Sequence, residues 1–250
     1  MITIKTPEEI KIMSEGGRIL SKIMGEIEKM VKPGITTKEL DRAAEALILS
    51  NGAVPSFKGF NNFPASLCTS VNEEIVHGIP SGRVLKDGDI ISLDLGLSYK
   101  GFHSDMAVTV PVGKTVLPEV NRVMKVAKKA LKRGISHAKT GASVGDIGNA
   151  IEKFVEEQGF SVVRELCGHG IGKNLHEDPQ ILNYGQKNTG AKIKEGMVIC
   201  IEPMVTMGDW RIKKAKDGYG YETKDGSFAA HFEHTIAITK NGPQVLTEIE

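Results

Sequence analysis

The sequence predicts an α+β fold in which one helix–helix–strand–strand unit is written twice. Three observations predict it. Apolar residues recur at helical spacing and then give way to strand-like stretches, the same helix-opening signals appear in both halves, and the halves match at a nearly constant offset. The first helix runs from Pro7 to about Met30, with Ile10, Met13, Leu20, Ile23, Met24 and Ile27 on one face and Pro7 suited to the first turn. A capping box at Thr36 and Glu39 opens a second helix, with Leu40, Ala44, Leu47 and Ile48 inward and Gly52 closing it. A polar, Gly/Pro-rich loop follows. Strands are expected over Ile90–Leu95 and about His103–Val110, joined through Ser98-Tyr99-Lys100-Gly101 as a hairpin.

The pattern then recurs. Pro118 opens a third helix, and Ser143 and Asp146 open a fourth that Gly159 closes. Gly34 maps to Gly141, Thr36 to Ser143, Glu39 to Asp146 and Gly52 to Gly159, each 107 positions on. Lys86–Asp94 parallels Lys194–Glu202 at an offset of 108, and an acid ends both strands. Asp105-Met106-Ala107-Val108 pairs with Glu233-His234-Thr235-Ile236 at 128, the excess being absorbed by a longer hairpin through Asp217-Gly218 and Asp225-Gly226. We read one domain over 1–250, with half-repeats of roughly 1–115 and 116–250.

Composition limits the function. The 250 residues carry 32 Lys and Arg against 31 Asp and Glu, so no global field draws the chain to DNA or acidic lipid. No apolar stretch approaches the ~20 residues that span a bilayer, and Thr6-Pro7-Glu8-Glu9 interrupts any signal-peptide core. Cys68, Cys167 and Cys200 form no C-x-x-C pair, which argues against a disulfide framework and points to a reducing, cytoplasmic setting. Glycine, 28 of 250, exceeds the usual ~7% and signals many tight turns.

If the halves pack about a pseudo-twofold axis, Asp94, Asp105, Glu202 and Glu233 converge near it. Buried carboxylates repel one another and lose hydration, at several kcal/mol each, unless positive charge is present. Two divalent cations would balance four such charges, and oxygen ligands with one imidazole suit Mn, Fe, Co or Zn. His169, in Cys167-Gly168-His169-Gly170-Ile171-Gly172, is the candidate imidazole; its flanking glycines are read as letting metal or substrate approach the backbone. The same string resembles a phosphate loop, but Asn174 stands where Ser or Thr should and Pro179 interrupts any helix.

These residues resemble the type I methionine aminopeptidases, of the short bacterial kind, along essentially the whole chain. The motifs are His77-Gly78-Ile79-Pro80 through Asp94, Gly101–Asp105, Gly168–Gly172 through His176-Glu177-Asp178-Pro179, Ile201-Glu202-Pro203-Met204 and Phe232-Glu233-His234-Thr235. The resemblance implies a pita-bread fold and a dinuclear site. Its ligands would be Asp94, Asp105, His169, Glu202 and Glu233, with Asp105 and Glu233 bridging. It also implies the reaction, in which water activated by the metal centre attacks the first peptide bond and releases an initiator methionine that precedes a small residue.

Glu202 is then the expected general base, His176 the donor to the carbonyl oxygen, and His77 the group near the scissile amide nitrogen. The methionine pocket would be formed by Phe57, Phe60, Phe63 and Cys68, with Leu175 and Tyr219 as further walls. This chain departs from relatives by carrying Phe60-Asn61-Asn62-Phe63 and Tyr219 there. His103 and His137 are read as structural, and His234 is expected to point away from Glu233. Prolidase and aminopeptidase P relatives share the ligands but carry a large N-terminal domain, for which the residues before Asp94 leave no room. Type II relatives carry a helical insertion that the 31 residues from Glu202 to Glu233 cannot hold. A non-enzymatic pita-bread binding protein would have lost ligands that are all present here. The expected partners are nascent polypeptide N-termini. Transient ribosome contact through Lys125, Lys128, Lys129, Lys132 and Arg133 would suit a monomeric, cytoplasmic enzyme that acts on nascent chains and binds neither DNA nor membrane.

Overall fold

The helices begin where their caps place them. In the computed structural model, which describes residues 1–248, α1 spans Pro7–Met30 and opens on a capping box: the Glu9 N–H donates to the Thr6 hydroxyl and the Thr6 N–H to the Glu9 carboxylate. Helix α2 (Thr37–Ser50) repeats this with Thr36 and Glu39. Helix α3 (Pro118–His137) starts on its proline, and α4 (Val144–Glu157) on Asp146, whose carboxylate accepts from the Ser143 N–H at 2.7 Å.

The stretch between Gly52 and Ile90, read from sequence as a loop, contains three strands: β1 (Val54–Pro55), β2 (Leu67–Val71) and β3 (Glu74–Val76). The polar letters of Leu67-Cys68-Thr69-Ser70-Val71 misled the reading, because all five residues are buried. The Ser66 and Leu67 N–H groups donate to the Asp41 carboxylate of α2 and the Gly78 N–H donates to the Ser70 hydroxyl, while the Thr69 hydroxyl is buried without a partner. The expected hairpin is present as β4 (Ile90–Tyr99) and β5 (Phe102–Pro111), longer than predicted. Its turn places Lys100 and Gly101 at φ +49° and +81°, the left-handed pair that matches strand twist.

In the second half come β6 (Ser161–Val162), β7 (Cys167–Gly170), β8 (Glu177–Leu182), β9 (Val198–Ile201) and β10 (Met204–Thr206). After them lie β11 (Ile212–Lys214), β12 (Tyr221–Thr223), β13 (Ala229–His231), β14 (Glu233–Thr239) and β15 (Gly242–Val245). The long hairpin expected between Glu202 and Glu233 is divided instead. Strands β11 and β12 pair and lean on β3 as one small sheet, while β13, β10 and β6 form another. Turn chemistry was legible there, but the partners that each short strand finds elsewhere in the chain were not.

The main sheet has the order β1-β4-β5-β14-β9-β7-β8, with β2 also on β4 and β15 also on β14. Its apolar face, including Leu93, Leu95, Met106, Val108, Ile199, Ile201 and Ile236, packs in one core with Leu20, Met24 and Ile27 of α1 and Val123, Ala127 and Ala130 of α3. At the centre β5 meets β14 over only two residue pairs, Glu233 with Ala107 and His234 with Met106. On either side a threonine hydroxyl completes the ladder. Thr235 accepts from the Asp105 N–H at 2.9 Å and donates to the Asp105 carbonyl at 2.8 Å; Thr109 does the same to His231 at 2.9 and 2.8 Å.

Candidate metal centre

Strand pairing and the two-residue period place the predicted ligands. Asp94 lies across from Ala107, and Ala107 across from Glu233, so both acids share one face; Asp105, two residues before Ala107, joins them. Oxygens of Asp94, Asp105 and Glu233 all lie within 4.8 Å of one another. From the other half, Cys200 sits across from Thr235 and shares a second group of the same span with His169 and Glu233. Glu202 follows the end of β9, its Oε1 3.7 Å from His169 Nε2. Glu233 therefore belongs to both groups, whereas Asp105 belongs to one.

His169 is oriented by its own neighbour: Nδ1–H donates to the Gly170 carbonyl at 2.9 Å, which leaves the Nε2 lone pair free. The flanking glycines have a different reason from the one read in the sequence. A Cβ on Gly168 would lie 2.3 Å from the Cys200 carbonyl oxygen, and one on Gly170 would lie 2.1 Å from that of Asp178. Neighbouring strands, not a ligand, occupy the space that a side chain would need.

The electrostatics demand a cation. Burial pushes Asp94 up to about 7, and burial followed by the charges of neighbouring acids lifts Asp105, Glu202 and Glu233 well above the carboxylate range. Asp94 Oδ1, Asp105 Oδ1 and Glu233 Oε1 are buried without a hydrogen-bond partner. Orphaned hard oxygens beside a bare imidazole nitrogen fit divalent metal ions.

A cavity of about 280 Å³ opens beside the acids. Phe57, Phe60, Phe63, Cys68, Leu175 and Tyr219, the six expected pocket residues, all line it. Phe57 packs on Gly96, where a Cβ would stand 2.7 Å from its ring. Phe63 and Tyr219 meet edge to face with centroids 5.7 Å apart, and the Tyr219 hydroxyl donates to the Asn62 carbonyl at 2.8 Å, tying the second half to the first.

His77 and His176 line the same cavity. His77 is held at φ +59°, a conformation unusual for a residue with a side chain, and Gly78 is pressed so close to β2 that a Cβ would lie 2.3 Å from the Thr69 carbonyl oxygen. Burial, then the charges of His176 and Lys214, lower His77 to about 4. His176 stacks edge to face on His169 at 4.3 Å and on Phe60 at 5.1 Å, and burial lowers it too. Three other histidines lie apart: His103 bonds Ser56, His137 the Arg133 carbonyl, and His234 Thr247.

Four residues of the site were not singled out in the sequence. His231 is buried, with Nε2 3.7 Å from Glu202 Oε2; Cys200 lies in the second ligand group; Lys214 and Tyr221 line the cavity. The first two carried a signal. Each lies two residues before an acid, His231 before Glu233 and Cys200 before Glu202, the spacing that an unbroken strand would put on one face.

Residues 11–240 match the sequence profile of metallopeptidase family M24. The chain is 51% identical over 249 residues to methionine aminopeptidase 1 of Bacillus subtilis (strain 168), covering 100% of both chains. The crystal structure of methionine aminopeptidase from Rickettsia prowazekii superposes with a TM-score of 0.97 at 38% identity, covering 99% of this chain and 100% of that one. The prolidase from Pyrococcus furiosus superposes with a TM-score of 0.79 at 26% identity, covering 99% of this chain but 66% of that one.

Proposed function

The chain belongs to metallopeptidase family M24, with its pita-bread fold, and we propose from that premise how its residues divide the work of a metal-dependent methionine aminopeptidase. The observation that carries the division is the convergence of buried, partner-less carboxylate oxygens at the end of an apolar cavity. Asp94, Asp105, His169, Glu202 and Glu233 would hold two divalent ions, Co, Mn, Fe or Zn. When bound, such ions polarise the scissile carbonyl and make hydroxide available near neutral pH.

The remaining roles fall to the chain itself. Phe57, Phe60, Phe63, Cys68, Leu175 and Tyr219 receive the unbranched thioether side chain of the first residue, which suits an apolar and polarisable surface. His176, neutral at pH 7, donates a hydrogen bond to the carbonyl oxygen as negative charge develops there. His77, on the wall of the same cavity, is assigned the bond to the amide nitrogen that assists its protonation on leaving. Glu202, beside His169 and at the cavity, takes the proton of the attacking water and returns it to the product.

We read the substrate as a nascent protein or peptide whose second residue is small. The setting is the cytoplasm, in keeping with three unpaired cysteines and with the absence, among the described residues, of a helix long and apolar enough to cross a membrane. We read the chain as a monomer built from one catalytic unit over 1–250. Lys125, Lys128, Lys129, Lys132 and Arg133 are exposed on α3, where they could support passing contact with the ribosome; pelleting with ribosomes only at low salt is the expected result.

The reaction is tested by mass spectrometry of Met-Ala-, Met-Leu-, Ala-Pro- and Leu-Ala-headed peptides, incubated with chelator-stripped protein with and without Mn²⁺ or Co²⁺. Metal-dependent loss of methionine before alanine alone is expected. Cleavage at Ala-Pro would place the chain with the proline-directed relatives, and no turnover by folded protein would overturn the enzymatic reading.

A further inference from the structure

The acid-lined cavity has one cation on its wall, and its position follows from strand register. Strands β11 and β12 pair Lys213 with Glu222 and Lys214 with Tyr221. Opposed residues share a face and successive residues alternate, so the two pairs face opposite ways. Lys213 and Glu222 form an ion pair at 3.4 Å away from the cavity, while Lys214 and Tyr221 line it. Lys214 is exposed; its ammonium lies 4.5 Å from the centre of the Tyr221 ring and donates to the Tyr221 hydroxyl at 3.3 Å. Among the described residues no carboxylate lies within 4 Å of it.

The same small sheet connects this lysine to the chemistry. Tyr221 pairs with Val76 of β3, the residue before His77, and the rings of His77 and Tyr221 stand 6.0 Å apart. The steps from His77 to Tyr221 to the ammonium are covered by two or three extended residues at about 3.3 Å each. The next residues of a peptide whose scissile nitrogen lay by His77 would be within reach of Lys214.

We propose that Lys214 is a specificity-determining residue that favours substrates bearing a carboxylate within two residues beyond the scissile bond. The inference rests on the methionine-releasing reading. The carboxylate has two possible sources, an acidic side chain at the third residue or the free C-terminus of a very short peptide. An unpaired ammonium over an aromatic face, at the mouth of a low-dielectric cavity, attracts either one.

The test compares kcat/KM for Met-Ala-Glu-amide and Met-Ala-Gln-amide, and for Met-Ala with its free carboxylate and Met-Ala-amide, in the Mn²⁺-loaded enzyme. The wild type is expected to favour the glutamate peptide about threefold to fivefold, with the preference shrinking in 0.5 M salt. Lys214→Gln should bring that ratio to one, and Lys214→Glu should invert it toward Met-Ala-Lys-amide. Because intrinsic reactivity cancels between enzymes, a change in the Met-Ala to Met-Ala-amide ratio on substitution would add the C-terminal carboxylate as a second source. Equal glutamate-to-glutamine ratios in wild type and both variants would overturn the proposal while leaving methionine release intact. Absence of turnover of every peptide by the wild type would overturn the reading beneath it, and this inference with it.

Discussion

His77 and His176 line one cavity yet differ in how they are held, and that difference makes their roles separable. His176 rests on the rings of His169 and Phe60, whereas His77 is fixed by a left-handed backbone pressed against β2. Replacing either with alanine is expected to lower kcat/KM about 10²-fold or more, with Mn²⁺ affinity by calorimetry nearly unchanged because neither belongs to a ligand group. A parallel loss of metal would instead make them part of the metal's support. The acids give a prediction in pH. Burial raises Asp94 to about 7, and burial with neighbouring negative charge lifts the other three acids well above the carboxylate range, so cation binding is expected to expel protons and affinity to rise as pH rises toward 7. Titrations at pH 6.5 in buffers of different ionisation enthalpy should show release of about one proton or more per cation; heats that do not depend on the buffer would contradict the raised acids.

At the scale of elements, β7 shows how a backbone and not a side chain can decide a site. Gly168 and Gly170 let β7 lie against β9 and β8, so Gly170→Ala should cost about 1–3 kcal/mol in urea unfolding and weaken metal binding by displacing His169. A variant with normal stability and affinity would show that the strands can give way. The helices, their caps and the β4–β5 hairpin were legible because their signals are local: Thr36 and Glu39 bond across three residues, and apolar spacing reports one face. Strand β2 was illegible because what holds its buried Cys-Thr-Ser stretch lies elsewhere in the chain: Asp41 of α2 accepts from the Ser66 and Leu67 N–H groups, and β4 pairs along the whole of β2. The convergence of Asp94, Asp105 and Glu233 was legible through the repeat, although Asp94 and Asp105 stand inside β4 and β5 and Glu233 opens β14, so none of them ends its strand. Lys214 and Tyr221 were not, since their face is set by a pairing with β3 more than a hundred residues away.

For the whole molecule, the clustered acids come from strands far apart in the chain, β4 and β5 on one side and β14 on the other, so a cation bound among them should strengthen the fold and not the site alone. At a cation concentration about 100 times Kd the linkage is worth about 2.7 kcal/mol, or about 5–10 °C in a chain of this size. Scanning calorimetry of stripped and Mn²⁺-loaded protein checks this, and unchanged melting would mean that the halves do not depend on the ions. The seam between β5 and β14 bears on how the sequence can change over time. Thr109 and Thr235 each complete two backbone bonds that the splayed strands cannot make for themselves. Serine keeps the hydroxyl at both positions, whereas valine fills the same volume and strands a buried N–H and C=O at a cost of about 1–3 kcal/mol or more. A deep mutational scan scored for folding alone, with activity ignored, should find both threonines among the least replaceable polar positions. The alphabet available to neutral drift therefore narrows on the two strands that carry Asp105 and Glu233, and folding by itself would preserve much of the frame in which the chemistry sits.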